Sequence, residues 1–149
     1  MFPRGSAGRA AMSNWHFTLG MTIWVVTALR LVVRLGATRP PIVPEPPALQ
    51  EKLAILMEVV LYVLLLGLPI LGWLSLSAKD QAVWFWGATL PMPLSPDKPV
   101  ADQLKDVHET LANVAIWLVG FHAAAALYHR YFLHDNTLDR MLPDGTAKG

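Results

Sequence analysis

The feature that most constrains this chain is an apolar stretch with a histidine at each end, His108 and His122. The two residues are 14 positions apart, and at about 100° per residue a helix turns them to within roughly 40° of one direction. The helical rise separates them by roughly 21 Å along the axis, whereas the hydrocarbon core of a bilayer is about 30 Å thick. One helix can therefore hold two imidazoles on one face, each near a different membrane surface.

An imidazole is costly when it faces lipid, so both rings are expected to point into a bundle of helices. Two inward histidines at two depths are what a membrane cytochrome needs to hold two stacked haems. The same spacing is also compatible with two histidines that hydrogen-bond to neighbouring helices. Spacing alone leaves both interpretations open.

Composition indicates an integral membrane protein with a single domain, residues 1–149. The chain is 54% hydrophobic and 15% charged, whereas about 25% of residues in a soluble domain are charged. A net charge of +1 without a basic run gives no reason to expect a nucleic-acid partner. Cysteine is absent, which excludes disulfides, thiolate catalysis and iron–sulfur ligation.

Three apolar stretches are long enough to cross a bilayer, and they predict membrane spans over residues 15–35, 53–77 and 107–133. A proline-rich linker over residues 36–50 joins the first two spans on one side. An outer loop over residues 78–106 joins the last two, and Ser95 or Asp97 is expected to cap the third helix. Lysine and arginine are modestly more frequent on the side of the linker and the C-terminus, which predicts a cytoplasmic C-terminus.

Charged residues within the spans suggest contacts as well as anchoring. Arg30 and Arg34 lie at the far end of the first span, where their side chains are expected to reach a headgroup surface. Glu58 lies about a turn inside the second span. A carboxylate there marks either a functional site with a partner or a solvated interfacial position, and the sequence favours neither.

Two histidines on different spans are expected at the same depth in the membrane. His16 and His108 lie near the outer ends of spans that run in the same direction, so they can face each other across one flat conjugated ring. Two imidazoles fill both axial positions of a haem iron and suit electron transfer. His122 lies deeper, and His129 is seven residues further along the same face, where it can reach a haem propionate or a lipid headgroup.

Short motifs along almost the whole chain resemble the bacterial cytochrome b561 family of di-haem membrane proteins. The matching pieces keep their order and spacing: Trp15-His16, Leu29-Arg30-Leu31, Pro40-Pro41, Leu61-Tyr62, Leu68-Pro69 with Gly72-Trp73, His108-Glu109-Thr110-Leu111-Ala112-Asn113, His122-Ala123-Ala124-Ala125-Ala126-Leu127 and Asp135-Asn136-Thr137-Leu138. The resemblance implies a four-helix bundle with two b-type haems and electron exchange with quinone or a small reductant. By position, it implies that His16 and His108 bind the iron of the outer haem and that His122 is one ligand of the inner haem.

Two departures from the family pattern concern the inner haem. The family's first transmembrane helix, which carries a histidine near the inner side, has no counterpart, and residues 1–5 resemble the loop that follows it. The chain thus resembles a family member that starts one helix late, with three transmembrane helices of a four-helix haem-binding bundle. Glu58 also stands where the family usually has a histidine. We therefore expect one haem b, and a second only if an inner ligand comes from outside this chain.

The expected function is a b-type cytochrome of the bacterial inner membrane that relays electrons between quinol and a partner at the outer surface. Other membrane subunits are expected partners alongside the lipid bilayer. The alternative is a haem-poor accessory subunit that docks on a larger respiratory or photosynthetic complex. A transporter is disfavoured because the spans show no repeat and few polar groups.

Overall fold

A computed structural model describes residues 6–37 and 45–136 of the chain. It consists of three long helices, α1 (Ala7–Gly36), α2 (Ala48–Ser77) and α3 (Lys98–Tyr128), and a π-helical turn, His129–Leu133, continues α3. Each long helix is apolar enough to cross a membrane. The predicted all-α membrane protein with three transmembrane helices is confirmed.

The helices are longer than the membrane is thick. α1 and α2 have 30 residues each, which corresponds to about 45 Å of helix. The predicted spans over residues 15–35 and 53–77 fall within α1 and α2, and the span over residues 107–133 falls within α3 and the π-helical turn that continues it. Each long helix is longer than a hydrocarbon core of about 30 Å is thick. Residues 1–5, 38–44 and 137–149 lie outside the described residues, and with them lie the N-terminal motif, part of the proline-rich linker and the end of the last family motif.

The helices begin where the sequence supplies caps. The Ser6 side chain accepts from the backbone N–H of Arg9 at the start of α1. At the start of α3, Asp97 Oδ1 accepts from the N–H of Val100 at 3.1 Å, so of the two expected caps it is Asp97 that acts. A side-chain oxygen at this position satisfies an N–H that has no partner within the helix.

α2 is the central helix of the bundle. α1 packs on one part of α2 and α3 packs on another, whereas the backbones of α1 and α3 do not approach each other within the described residues. The buried core is small and includes Leu61 and Leu64 of α2 and Ala115 of α3. Most large apolar side chains are exposed, as expected of helices whose outer faces contact lipid.

Hydrogen bonds tie the loop between α2 and α3 to the end of α2. The Ser77 side chain is 1% exposed, and its hydroxyl accepts from the N–H of Leu94 at 2.9 Å and donates to the Leu94 carbonyl at 3.2 Å. The Ser75 hydroxyl donates to the carbonyl of Ala101 in α3 at 3.0 Å. The connection therefore fixes how the end of α2 meets the start of α3.

A short hairpin within the loop between α2 and α3 lies against α1. Its strands, β1 (Trp84–Phe85) and β2 (Ala88–Thr89), are antiparallel. Trp86 and Gly87 between them have φ angles of 47° and 91°, which is the left-handed pair that a two-residue hairpin turn favours. The Trp86 indole donates to Thr22 Oγ1 at 3.0 Å, and Thr18 Oγ1 donates to the Trp84 carbonyl at 3.3 Å. The sequence did not predict this hairpin.

Candidate cofactor site

Two histidines from different helices meet near one end of the bundle. The ring centres of His16 on α1 and His108 on α3 are 6.3 Å apart, and the ring planes lie at 79° to each other. Because α1 and α3 both pack on α2 and not on each other, the two imidazoles reach across a space between helices. The structure thus brings together the pair that the sequence places at one depth.

The backbone of α2 holds the His108 ring. His108 Nδ1 lies 2.9 Å from the carbonyl oxygen of Leu68. The ring also lies against Gly72, where a Cβ atom would be 3.3 Å from His108 Cε1. Sequence reasoning missed both contacts, although a glycine within an apolar helix, four residues after Leu68, is the type of signal that marks a close approach.

An open groove of about 390 Å³ adjoins the histidine pair, and its lining residues are His16, His108, Glu109, Ala112 and Asn113. Ala112 lies one turn after His108 and presents only a methyl group. The groove is polar at Glu109, whose carboxylate pairs with Lys105 Nζ at 2.9 Å. The groove combines space beside the imidazoles with a polar edge.

The spacing of the two rings fits shared coordination of one metal ion. An imidazole nitrogen lies about 2 Å from a transition metal that it binds, so two rings on opposite sides of one ion have centres roughly 6 Å apart. The observed separation is 6.3 Å. In the part of the chain that the structure describes, no group of three or more histidine, cysteine, aspartate or glutamate residues is placed to hold a metal. Two imidazoles therefore fit an iron whose remaining ligands come from a porphyrin.

His122 lies on α3, 14 residues beyond His108, and its side chain is half-buried. Within residues 6–37 and 45–136, it makes no hydrogen bond or ion pair. α2 contains no histidine and α1 contains only His16, so none of the described helices offers a second imidazole at this depth. Iron ligation by His122 stays a prediction.

His129 occupies the start of the π-helical turn and links two parts of the fold. One ring nitrogen, Nε2, lies 2.8 Å from the side-chain nitrogen of Gln50 at the start of α2. The other, Nδ1, contacts the carboxylate of Asp135. Both nitrogens thus have protein partners, and the one with Gln50 connects the end of α3 to α2. The contact with a haem propionate stays a prediction.

Arg34 and Glu58 form an ion pair between α1 and α2. Arg34 Nε donates to Glu58 Oε1 at 2.9 Å, and Nη2 donates to Oε2 at 3.3 Å. The two side chains are 27% and 29% exposed. Of the two interpretations that the sequence left open for Glu58, the structure supports the one with a specific partner, and that partner is one of the arginines expected at the headgroup surface.

Comparisons with known proteins agree with this architecture. The profile of the prokaryotic cytochrome b561 family matches residues 1–144. The chain is 40% identical over 143 residues to cytochrome b561 homolog 1 of Escherichia coli K12, an alignment that covers 95% of this chain and 81% of the relative. It is 38% identical over 143 residues to the probable superoxide oxidase CybB of Yersinia pestis, with 94% of this chain and 81% of the relative covered. This multi-pass membrane protein belongs to the prokaryotic cytochrome b561 family, whose members bind b-type haem and transfer electrons.

Proposed function

We propose that this protein holds one haem b between His16 and His108 and relays single electrons between membrane quinone and a partner at the outer surface. The observation that carries the proposal is the 6.3 Å separation of the two imidazole rings on helices that do not pack together. When bound, haem b supplies an iron that takes up and releases one electron at a time. The proposed location is the bacterial inner membrane, with the C-terminus in the cytoplasm, on the basis of the lysine and arginine bias.

The two histidines limit the chemistry of the site. His16 and His108 would both bind the haem iron, and iron held by two imidazoles would supply electron transfer and not a binding site for dioxygen or a substrate. His16 is exposed and His108 is half-buried, and the adjoining groove reaches a polar edge at Glu109 and Asn113. This arrangement favours electron exchange with a partner that approaches the edge of the site over reaction at the metal.

Superoxide is the partner that we propose for the outer surface, because one relative is named a probable superoxide oxidase. Superoxide gives up one electron and becomes dioxygen. Two superoxide ions, one quinone and two protons therefore balance to two dioxygen molecules and one quinol. A protein that passes electrons singly can couple the one-electron donor to the two-electron acceptor.

The first experiment tests the ligands. We expect purified protein to contain haem b with the low-spin spectrum of two axial imidazoles, and His16→Ala and His108→Ala each to lose that haem. His134→Ala is the matched control, because His134 is exposed beyond the end of α3. Haem content is measured per chain by pyridine haemochrome, and electron paramagnetic resonance reports the axial ligands.

Two results would count against the proposal. Full haem content in His108→Ala would remove His108 from the site. A folded, haem-free wild-type protein would favour the accessory subunit, which docks on a larger membrane complex without chemistry of its own.

The second experiment tests the partner. Superoxide is generated enzymatically outside proteoliposomes that contain ubiquinone. We expect the protein to consume superoxide and form quinol. Added superoxide dismutase should suppress the formation of quinol. His108→Ala should show only the background rate. If quinol reduces the haem while superoxide does not, the outer partner is a different electron carrier.

A further inference from the structure

We propose that Leu68 and Gly72 of α2 are positioning residues for His108, and that together they set the redox potential of the outer site. The inference rests on the proposed ligation of haem by His108. Its physical basis is the contact between an imidazole of α3 and the bare backbone of α2.

The hydrogen bond to Leu68 fixes which nitrogen of His108 carries the proton. A neutral imidazole has one N–H donor and one nitrogen that accepts, whereas a carbonyl oxygen only accepts. Since Nδ1 lies 2.9 Å from the Leu68 carbonyl, Nδ1 carries the proton and Nε2 keeps the lone pair that a metal needs. The carbonyl oxygen has two lone pairs, so it can accept the hydrogen bond from Nδ1 as well as one within its own helix.

The same hydrogen bond raises the electron donation of the ring. When the distal N–H of a metal-bound imidazole donates to a carbonyl, the ring becomes a stronger base and the partner also fixes its orientation. A stronger donor favours the oxidised iron and lowers the midpoint potential. Weakening the bond between His108 and Leu68 should therefore shift the potential to more positive values.

Gly72 makes this contact possible. A Cβ atom at position 72 would lie 3.3 Å from His108 Cε1, which is closer than ordinary van der Waals contact, and 3.4 Å from Nδ1, which is at the limit of ordinary contact. An alanine there must push the ring away from α2, in the direction that lengthens the hydrogen bond. Gly67 on the same helix is the matched control, because a Cβ atom there meets nothing within 4 Å.

The test compares Gly72→Ala with Gly67→Ala in the haem-loaded protein. We expect Gly72→Ala to keep two axial imidazoles, to have a more positive midpoint potential, and to release haem to a scavenger protein about tenfold faster. Gly67→Ala should match the wild type in all three measurements. A second measurement needs no substitution: in the reduced, diamagnetic wild-type protein, nuclear magnetic resonance should show a slowly exchanging N–H proton on Nδ1 of His108.

The inference is overturned if Gly72→Ala has the potential and release rate of Gly67→Ala, or if the His108 N–H proton exchanges freely with water. Should Gly72→Ala fail to fold, the resonance measurement still decides. Failure of the inference differs from failure of the proposed function. In the first case haem stays bound by two imidazoles with an unchanged potential, and in the second case His108→Ala keeps its haem.

Discussion

The two ends of this helix bundle use polar side chains in different ways. At the outer level, which is named for the orientation proposed above and defined by His16, His108 and Gly72, two imidazoles come from helices that a third helix keeps apart. At the inner level, defined by Arg34, Glu58 and His122, a salt bridge joins two helices that pack directly. His122 follows His108 by 14 residues, and Glu58 precedes Gly72 by 14. Because α2 and α3 pack antiparallel and His108 contacts Gly72, His122 and Glu58 lie at similar depth.

One bundle thus contains a space between two helices at one level and a direct ion pair between two helices at the other. A flat group needs two helices that do not touch, with ligands that point toward each other from both sides. An ion pair needs the opposite, since its charges must be in contact and shielded from lipid. The outer level meets the first requirement, and the Arg34–Glu58 part of the inner level meets the second.

The largest expected effect separates the two levels through haem content. We expect His108→Ala to remove the outer haem, whereas His122→Ala should keep it, because the described helices offer His122 no second imidazole. The measurement is haem per chain together with the reduced absorption spectrum. Equal loss of haem in both variants would mean that the two levels are not independent sites.

The next effect concerns the loop that fixes the outer level. Ser77→Ala removes the acceptor of the Leu94 N–H and should cost about 1–3 kcal/mol of stability, because the side chain is 1% exposed. Thermal unfolding in detergent measures the loss. Ser95→Ala, at an exposed position of the same loop, is the control, and an equal loss there would show that the loop does not depend on Ser77.

At the inner level we expect a smaller effect from the ion pair. A double-mutant cycle with Arg34→Gln and Glu58→Gln should give a coupling free energy of about 1 kcal/mol, since both side chains are less than one-third exposed. The spectrum of the outer haem should not change. Arg30→Gln is the control on the same helix because Arg30 is exposed. A coupling free energy of zero, or a change in the outer spectrum, would contradict this division of the bundle.

The smallest effect is expected in the hairpin that lies against α1. Trp86→Phe deletes the donor to Thr22 Oγ1 and should cost about 0.5 kcal/mol, because the bond is exposed. Trp84→Phe is the matched control, since Trp84 contributes its backbone carbonyl to the contact with Thr18 and keeps it in the variant. A loss for Trp86→Phe as large as that for Ser77→Ala would mean that the hairpin stabilises the bundle.

Part of the site was predictable and part was not. The depth of His16 and His108 follows from their distance to the ends of the apolar stretches, which is a property of single helices. The partner of Arg34 was not predictable, because an arginine at this position of a span can either reach a lipid headgroup or pair with Glu58, and the sequence is the same in both cases. The hairpin at Trp86–Gly87 was also missed, since a tryptophan with positive φ is uncommon, and its contact with Thr22 of α1 is a tertiary one.

The sequence by itself determined the all-α membrane class, the three long helices and the shared level of His16 and His108, because hydropathy and helical rise act along one chain segment at a time. Only the tertiary structure decided that α1 and α3 stay apart, that Gly72 receives the His108 ring and that Arg34 meets Glu58. These contacts depend on the rotation and offset of whole helices against one another. Many side chains set those offsets jointly, and no single segment of sequence encodes them.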